Sequence, residues 1–304
     1  MPKLIALILL LLSCCPVFAQ QEQTSVPLEK LPSGHYALTV KLSEKQSARL
    51  LIDTGAAQCI LSKDIVKKLS LPIEPVPKEY SIPKSVGVIG HIVLPECKIG
   101  DFPIENVRFF IVNEIPFQLE SKKPIDGILG VNSFQKYALL FQWSRKRVTF
   151  YSPGNLSTER LLAANMNPAE CLPLKQVAES TLLSTPARFD TKEEDFLIDT
   201  GVDTTTVYKA ELLNHLNAII AGTPKQYWMQ HGSILMQPIK VKSFQLGEIV
   251  YLKVKVHYPR SPDAAMQSLL KDAPSLLGLN ILQKSDLLID FPAKKMYIKR
   301  PAKL

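Results

Sequence analysis

Two short runs in this 304-residue chain carry the residue types that acid–base chemistry needs: residues 50–55 read Leu-Leu-Ile-Asp-Thr-Gly and residues 196–201 read Phe-Leu-Ile-Asp-Thr-Gly. A lone Asp-Thr-Gly is a weak signal, satisfied by an ordinary turn. Two of them, each fed by an apolar run, put Asp53 and Asp199 at matching points of the chain. Two carboxylates held about 3 Å apart cannot both ionise at moderate pH, so they share a proton. The ionised member can then take a proton from a water between them, while the protonated member donates to a peptide carbonyl oxygen. Such chemistry needs no metal, no cofactor and no covalent intermediate. Thr54 and Thr200 carry hydroxyls able to bond across the junction of the two loops, and Gly55 and Gly201 allow a backbone approach that a side chain would block.

The elements that must position these residues are repeated as well. Val26-Pro27-Leu28 and Leu172-Pro173-Leu174 sit at the same offset of 146 as the two Asp-Thr-Gly runs. Pro77-Lys78-Glu79-Tyr80 matches Pro224-Lys225-Gln226-Tyr227 at 147, and Ile128-Leu129-Gly130 matches Leu276-Leu277-Gly278 at 148. Beyond that, Asn132, Gln135, Lys136, Leu139 and Leu140 match Asn280, Gln283, Lys284, Leu287 and Leu288. The offset drifts by only two residues over about a hundred, which marks a duplicated domain.

Each half reads mostly as strand. Tyr36–Val40 and Arg49–Ile52 flank a polar turn at Ser43–Ser47, and the second half repeats the hairpin with its turn at Asp190–Glu194. Cys59–Leu61 and Thr205–Tyr208 read as short strands, followed by helices at Lys63–Leu69, with Ser62 as N-cap, and at Lys209–Leu216. Each half closes on a strand, a basic turn and a strand: Leu139–Phe141 with Arg147–Tyr151, then Leu287–Phe291 with Met296–Lys299. The basic turns are solvated hairpin ends, so no nucleic-acid partner is expected. The divisions are a leader at 1–19, an N-terminal extension at 20–25, a first lobe at 26–151, a linker at 152–171 and a second lobe at 172–304. The linker contains the sequon Asn155-Leu156-Ser157, which matters only in a host that glycosylates exported proteins.

The leader consists of Lys3, the apolar run Leu4–Leu12 and Val17-Phe18-Ala19, a pattern of export with cleavage after Ala19. Its apolar run is too short to span a bilayer, and no other segment qualifies as a transmembrane span. A secreted or periplasmic protein follows. The alternative is a membrane-anchored lipoprotein, with the lipid on Cys14 of Leu11-Leu12-Ser13-Cys14, although Leu12 fits that motif poorly. Removal of residues 1–19 leaves Cys59, Cys97 and Cys171, an odd number, so at least one thiol is free or pairs outside the chain. The apolar content of 46% is ample for cores, and 21% charged residues with a net charge of +8 exclude disordered and collagen-like chains.

Leu-Leu-Ile-Asp-Thr-Gly-Ala at 50–56, with Ile128-Leu129-Gly130 some 75 residues later, resembles the retropepsin-like aspartic peptidases. The resemblance recurs in the second half, and so covers nearly the whole chain after the leader. It implies an all-β fold (mainly β with short helices): two barrel-like lobes related by a pseudo-twofold axis, in a pepsin-like bilobal arrangement with the site in the cleft between them. It implies that Ile128, Leu129, Gly130, Leu276, Leu277 and Gly278 support the aspartate loops. It also implies a flap over the substrate in each lobe, from Ser85–Gly90 with Gly87 and Gly90, and from His231–Ser233 with Gly232. The implied activity is that of an endopeptidase acting on polypeptides, and the duplication makes a monomer sufficient.

Two departures from the family pattern stand out. Ala56 and Val202 follow the two Asp-Thr-Gly runs where pepsin-like enzymes usually have Ser or Thr. Losing that hydroxyl raises the carboxylate pKa values and predicts a mildly acidic to near-neutral optimum. Cys59 stands where the second half has Thr205, and reads as a buried thiol, with a disulfide to Cys97 as the alternative. Phosphate-loop, His-Glu-x-x-His, Cys-x-x-Cys and Gly-x-Ser-x-Gly motifs are all absent, and His35, His91, His215, His231 and His257 show no ligand spacing. Two rival functions share the same residues: a binding protein that holds peptide or glycan in the cleft without cutting, and a self-processing enzyme acting on its own chain or one partner.

Overall fold

The computed structural model describes residues 22–80, 87–115, 123–189, 192–209, 219–229, 232–260 and 273–299. The first lobe consists of β1 (Gln23–Pro27), β2 (Glu29–Lys30), β3 (Tyr36–Lys41), β4 (Ser47–Ile52), β5 (Cys59–Ser62), β6 (Val88–Ile99), β7 (Phe102–Val112), β8 (Gly127–Leu129), β9 (Ala138–Gln142) and β10 (Arg147–Tyr151). The second consists of β11 (Cys171–Pro173), β12 (Lys175–Gln176), β13 (Leu183–Phe189), β14 (Lys192–Ile198), β15 (Ile219–Ile220), β16 (Lys225–Met229), β17 (Gly232–Leu246), β18 (Ile249–Pro259), β19 (Ser275–Leu277), β20 (Leu287–Asp290) and β21 (Lys295–Ile298). Among the described residues the helices are short, the longest being Lys63–Leu69. Among the described residues no helix is long and apolar enough to cross a membrane.

In the first lobe the sheet runs β2-β3-β4-β8-β5-β7-β6, and a β3–β6 pairing closes it into a barrel. Alternation fills the barrel: Leu38, Val40, Leu50, Ile52, Leu61, Ile99 and Phe109 all point into one core. The second lobe repeats the plan in looser form. Where β5 lies between β7 and β8, the second lobe has only single bridges from Thr206 to His257 and to Leu276. The strand expected over Thr205–Tyr208 is therefore reduced to one residue. The Thr205 amide and hydroxyl both donate to the Asn280 side chain instead of to a neighbouring strand, and the Thr206 hydroxyl donates to the Thr204 carbonyl.

The expected turn at Asp190–Glu194 is also shorter than read. Phe189 pairs with Lys192, so Glu193 and Glu194 belong to β14. Glu194 faces inward, and is tolerated there because Lys209 Nζ pairs with it at 3.0 Å and Ser275 Oγ donates to it at 3.1 Å. The helix over Lys63–Leu69 forms as expected; Ser62 occupies its N-cap position without a side-chain capping bond. The helix read at Lys209–Leu216 lies outside the described residues beyond Lys209.

The lobes are joined by a third sheet, of order β1-β10-β9-β20-β21-β11. Its centre is the antiparallel β9–β20 pair, in which Leu140 faces Leu288, Leu139 faces Ile289 and Phe141 faces Leu287. Leu140 and Leu288 are twins of the duplication, so the pseudo-twofold axis passes between them. The segment between the lobes contains a helix, Thr158–Ala163, whose N-cap Ser157 accepts from the Arg160 amide. Leu161 and Met166 from this segment pack with Ala138, Leu140 and Leu288 against one face of the joining sheet.

Candidate active site

β4 ends at Ile52 and β14 ends at Ile198, so the two Asp-Thr-Gly turns leave equivalent strands at the lobe junction. Each strand is pinned by a parallel neighbour. Leu50, Leu51 and Ile52 pair with Gly127, Ile128 and Leu129, and Phe196, Leu197 and Ile198 pair with Ser275, Leu276 and Leu277. The pairing continues into the turns, where the Asp53 amide donates to the Leu129 carbonyl and the Asp199 amide to the Leu277 carbonyl, both at 3.1 Å. The next residues hold the far side of each loop: the Val131 amide donates to the Ala56 carbonyl at 2.8 Å and the Leu279 amide to the Val202 carbonyl at 3.0 Å. A side chain at Gly130 would strike the backbone of Gln58 and Ala56, and one at Gly278 that of Thr204 and Thr205. Glycine is required at both positions by this close approach.

The threonines tie the two turns together reciprocally. The Thr54 amide donates to Thr200 Oγ1 at 3.0 Å, and the Thr200 amide to Thr54 Oγ1 at 3.1 Å. Each hydroxyl then donates onward across the junction, Thr54 to the Ile198 carbonyl and Thr200 to the Ile52 carbonyl, both at 2.8 Å. Four buried polar groups are thus satisfied by one another, and the arrangement is rigid because loss of any member leaves its partner unpaired.

Asp53 and Asp199 meet at this crossing, each carboxyl set against the glycine of the other loop. A Cβ placed on Gly55 would collide with the Asp199 carboxyl, and one on Gly201 with the Asp53 carboxyl. Asp53 Oδ1 accepts from the Gly55 amide at 2.8 Å and the Ala56 amide at 3.1 Å, while Asp199 Oδ1 accepts from the Gly201 amide at 2.8 Å. Burial pushes both carboxyls above the ordinary carboxylate range, and the neighbouring charge of Asp53 pushes Asp199 well above it. The two carboxyls therefore share a proton and titrate as one coupled pair.

The profile of a family described as aspartyl protease matches residues 38–133, which include the Asp53 loop and Ile128-Leu129-Gly130. Among solved structures, an aspartic proteinase from Irpex lacteus aligns over 91% of this chain and 96% of its own, at 13% identity and a TM-score of 0.50. A retropepsin-like aspartic protease from Rickettsia conorii aligns over 43% of this chain and 93% of its own, at 15% identity and a TM-score of 0.31. No curated protein matches. The fold is that of an aspartic protease.

Within that aspartic-protease fold, the residues expected at the aspartate loops all meet at the lobe junction, whereas the flap glycines are placed differently. Gly87, at φ +68°, leads into β6 and is open to solvent around its Cα. Gly90 packs against Ile73 and the Glu74 carbonyl, where Glu74 bridges to His91, so its smallness serves the crossing of two segments. Gly232 opens β17 opposite Met229, while Ser85, Val86 and His231 of the expected flaps lie outside the described residues.

Three neighbours of the aspartates were not singled out from the sequence. His35, just before β3, reaches across to the Gly201 carbonyl. Asp203, in the second loop, acts electrostatically on both His35 and His257. Tyr208 lies near enough to Asp199 that this charge, after burial, holds its phenol above the usual range. Only comparison of the two halves gave any signal: a histidine precedes the first hairpin strand, and the matching stretch Glu179–Leu183 has none. The three thiols are free, with Cys59 and Cys97 buried, as the buried-thiol reading expected.

Proposed function

We propose that the chain is an aspartic endopeptidase that hydrolyses polypeptides by water activated between Asp53 and Asp199. The observation that supports this reading is the juxtaposition of two buried carboxyls, each packed against the glycine of the other's loop, with burial pushing both above the ordinary carboxylate range. Asp53, ionised and steadied by two amides, takes a proton from the water as its oxygen attacks the peptide carbonyl carbon. Asp199 gives its proton to the carbonyl oxygen, producing a tetrahedral gem-diol with no covalent bond to the protein. As the diol collapses and the C–N bond breaks, one of its hydroxyls returns a proton to Asp199 and Asp53 passes the proton it took from water to the departing amine, which restores the starting state. The extended substrate lies in the cleft between the lobes. Both loops come from one chain, so a monomer is the working unit. Residues 1–19 direct export and are removed after Ala19; N-terminal sequencing of the product made in a secreting host distinguishes Gln20 from a lipidated Cys14.

The test is cleavage of a mixed peptide library by the chain starting at Gln20, over about pH 3 to 8. Asp53→Asn and Asp199→Asn run alongside, with and without a transition-state-mimicking aspartic-protease inhibitor. Loss of cleavage by about 10²–10⁴-fold in both variants is expected, in line with removal of a general base or acid. Cleavage that persists in Asp53→Asn overturns the mechanism, and tight peptide retention without cleavage in the unsubstituted protein favours the binding role.

A further inference from the structure

The duplication supplies an internal reference for every surface of the second lobe, and one surface departs sharply from it. β17 and β18 repeat β6 and β7 at an offset of 147. Gly247 at φ +59° answers Gly100 at φ +60° in the turn, and Lys253 at φ +52° answers Asn106 at φ +54° in the following strand. In the first lobe this hairpin carries balanced charge, with Glu96 and Glu105 exposed and Lys98 and Arg108 half-buried. In the second lobe Val93, Pro95, Asn106 and Arg108 are answered by Lys240, Lys242, Lys253 and Lys255, all exposed, and β17 and β18 contain no acidic residue.

The fold does not ask for these lysines. Lys240 lies directly opposite Lys255 in the register, and like charges so placed repel. Lys253 holds a left-handed backbone conformation that asparagine, its twin in the first lobe, adopts more readily. Among the described residues none of the four lysines forms an ion pair.

The same surface is studded with bare aliphatic side chains. Ile219 stands opposite Lys240, extending the Lys240–Lys255 row by one strand, and is 71% exposed. Leu252 is 68% exposed and Val250 52%, both on β18 beside the lysines. Long flexible cations interleaved with aliphatic side chains, with no arginine fork and no aromatic platform at these positions, match a lipid interface better than a nucleic acid. A soluble acidic chain would satisfy the charges and leave the aliphatics in water.

We propose that this face of the β17–β18 hairpin docks on an anionic lipid surface. The four lysines meet headgroup phosphates, and Ile219, Val250 and Leu252 enter the interfacial layer. The first lobe, with its balanced hairpin, faces away from the lipid. The proposal stands independently of the peptidase reading.

The test is co-sedimentation of the chain starting at Gln20, which lacks Cys14, with two kinds of vesicle. One is phosphatidylcholine alone, and the other is phosphatidylcholine mixed with phosphatidylglycerol. Binding to the anionic vesicles only, weakening as salt rises, is expected. A lysine near an anionic surface contributes about five-fold in affinity, so Lys240→Gln/Lys242→Gln/Lys253→Asn/Lys255→Gln should bind more weakly by about a hundred-fold or more. That variant should melt no lower than the parent, because it relieves repulsion. Ile219→Ser/Leu252→Ser should also bind more weakly while keeping the same dependence on salt. Equal binding to neutral vesicles, absence of vesicle binding, or unchanged affinity in the folded lysine variant would each overturn the proposal. So would full vesicle affinity in Ile219→Ser/Leu252→Ser together with tighter binding to polyglutamate, a result that assigns the face to an acidic macromolecule.

Discussion

The imidazole of His35 in the first lobe donates from Nε2 to the Gly201 carbonyl of the second lobe at 3.0 Å. A carbonyl can only accept, so Nε2 carries the hydrogen, and Nδ1 of the neutral ring accepts from Ser33 Oγ at 3.0 Å. The bond ties the Asp199 loop to the opposite lobe at one more point than the reciprocal threonines provide.

His35→Ala should loosen the Asp199 loop, lowering kcat about ten-fold with little change in KM, and should cost about 1–2 kcal/mol of stability by unpairing a buried carbonyl. His35→Gln, whose amide can donate, should recover much of both. Burial holds the His35 pKa below its ordinary 6.5, against the opposing charges of Asp203 and Asp53. The unfolded chain therefore binds the extra proton first. The contribution of neutral His35 is complete above pH 6.5 and is lost as pH falls from there through the lowered folded value. Denaturant unfolding across this window should show a shallower slope for His35→Gln than for the parent.

The carboxyl pair works in the opposite sense. Asp53 and Asp199 have folded pKa values above the ordinary 3.8, so the folded chain holds a proton that the unfolded chain releases. Their contribution is most favourable below pH 3.8 and is lost as pH rises through the elevated values. Asp199→Asn keeps a donor toward Asp53 without a titrating proton, so it should be inactive yet more stable at neutral pH. An increase in Tm of about 2–4 °C per kcal/mol gained is expected. Calorimetry of the two proteins at matched pH measures the difference, and a lower Tm for Asp199→Asn at pH 7 would contradict the assignment.

Ala56 gives only its amide to Asp53. Ala56→Ser adds a hydroxyl able to donate to the ionised carboxylate, which favours the charged form. The acid limb of the kcat/KM profile should move to lower pH, with the peak following it. An unmoved acid limb would show that the added hydroxyl does not reach the pair.

Cys59 and Thr205 fill equivalent places unequally. Thr205 Oγ1 donates to Asn280 Oδ1 at 2.8 Å and accepts from the Gly278 amide at 3.1 Å. Cys59 Sγ accepts from the Gly130 amide at 3.2 Å, while Asn132 Oδ1, twin of the Asn280 oxygen, is buried without a partner. Cys59→Thr should supply the missing donor and raise stability by about 1 kcal/mol, read as an increase in Tm. Burial pushes the Cys59 and Cys97 thiols up to about 12, so in the native chain from Gln20 a thiol reagent should modify Cys171 and leave these two until unfolding.

The aspartate loops and the duplicated plan were legible because both rest on local sequence. The run Leu-Ile-Asp-Thr-Gly carries its own strand and turn, and its recurrence reveals the symmetry. The hairpin turn at Asp190–Glu194 was misread because Glu193 and Glu194 are polar, and polarity argues for a turn. Glu194 is instead buried beside Lys209 and Ser275, partners that only the folded chain brings to it. Thr205–Tyr208 was overread for the reverse reason: β-branched residues signal a strand, yet the Thr205 amide is taken by the distant Asn280 side chain and the pairing shrinks to Thr206. His35 escaped notice because a single histidine has no pattern, and its partner, Gly201, is 166 residues away. The lysine face was hidden too, since its residues are spread over two strands and become one surface only in the β17–β18 register.

The joining sheet has a consequence for how the chain withstands damage. Each lobe contributes three of its strands, and the strand pairing that unites the halves in this sheet runs through β9 and β20 rather than through the connecting segment. A cut among residues 167–170, beyond the helix at Thr158–Ala163, would sever the covalent thread while every pairing in that sheet survived. The product would be a nicked two-chain particle that migrates as one species until denatured. The two halves, made as separate polypeptides, would recognise each other by the same edge-to-edge zipper.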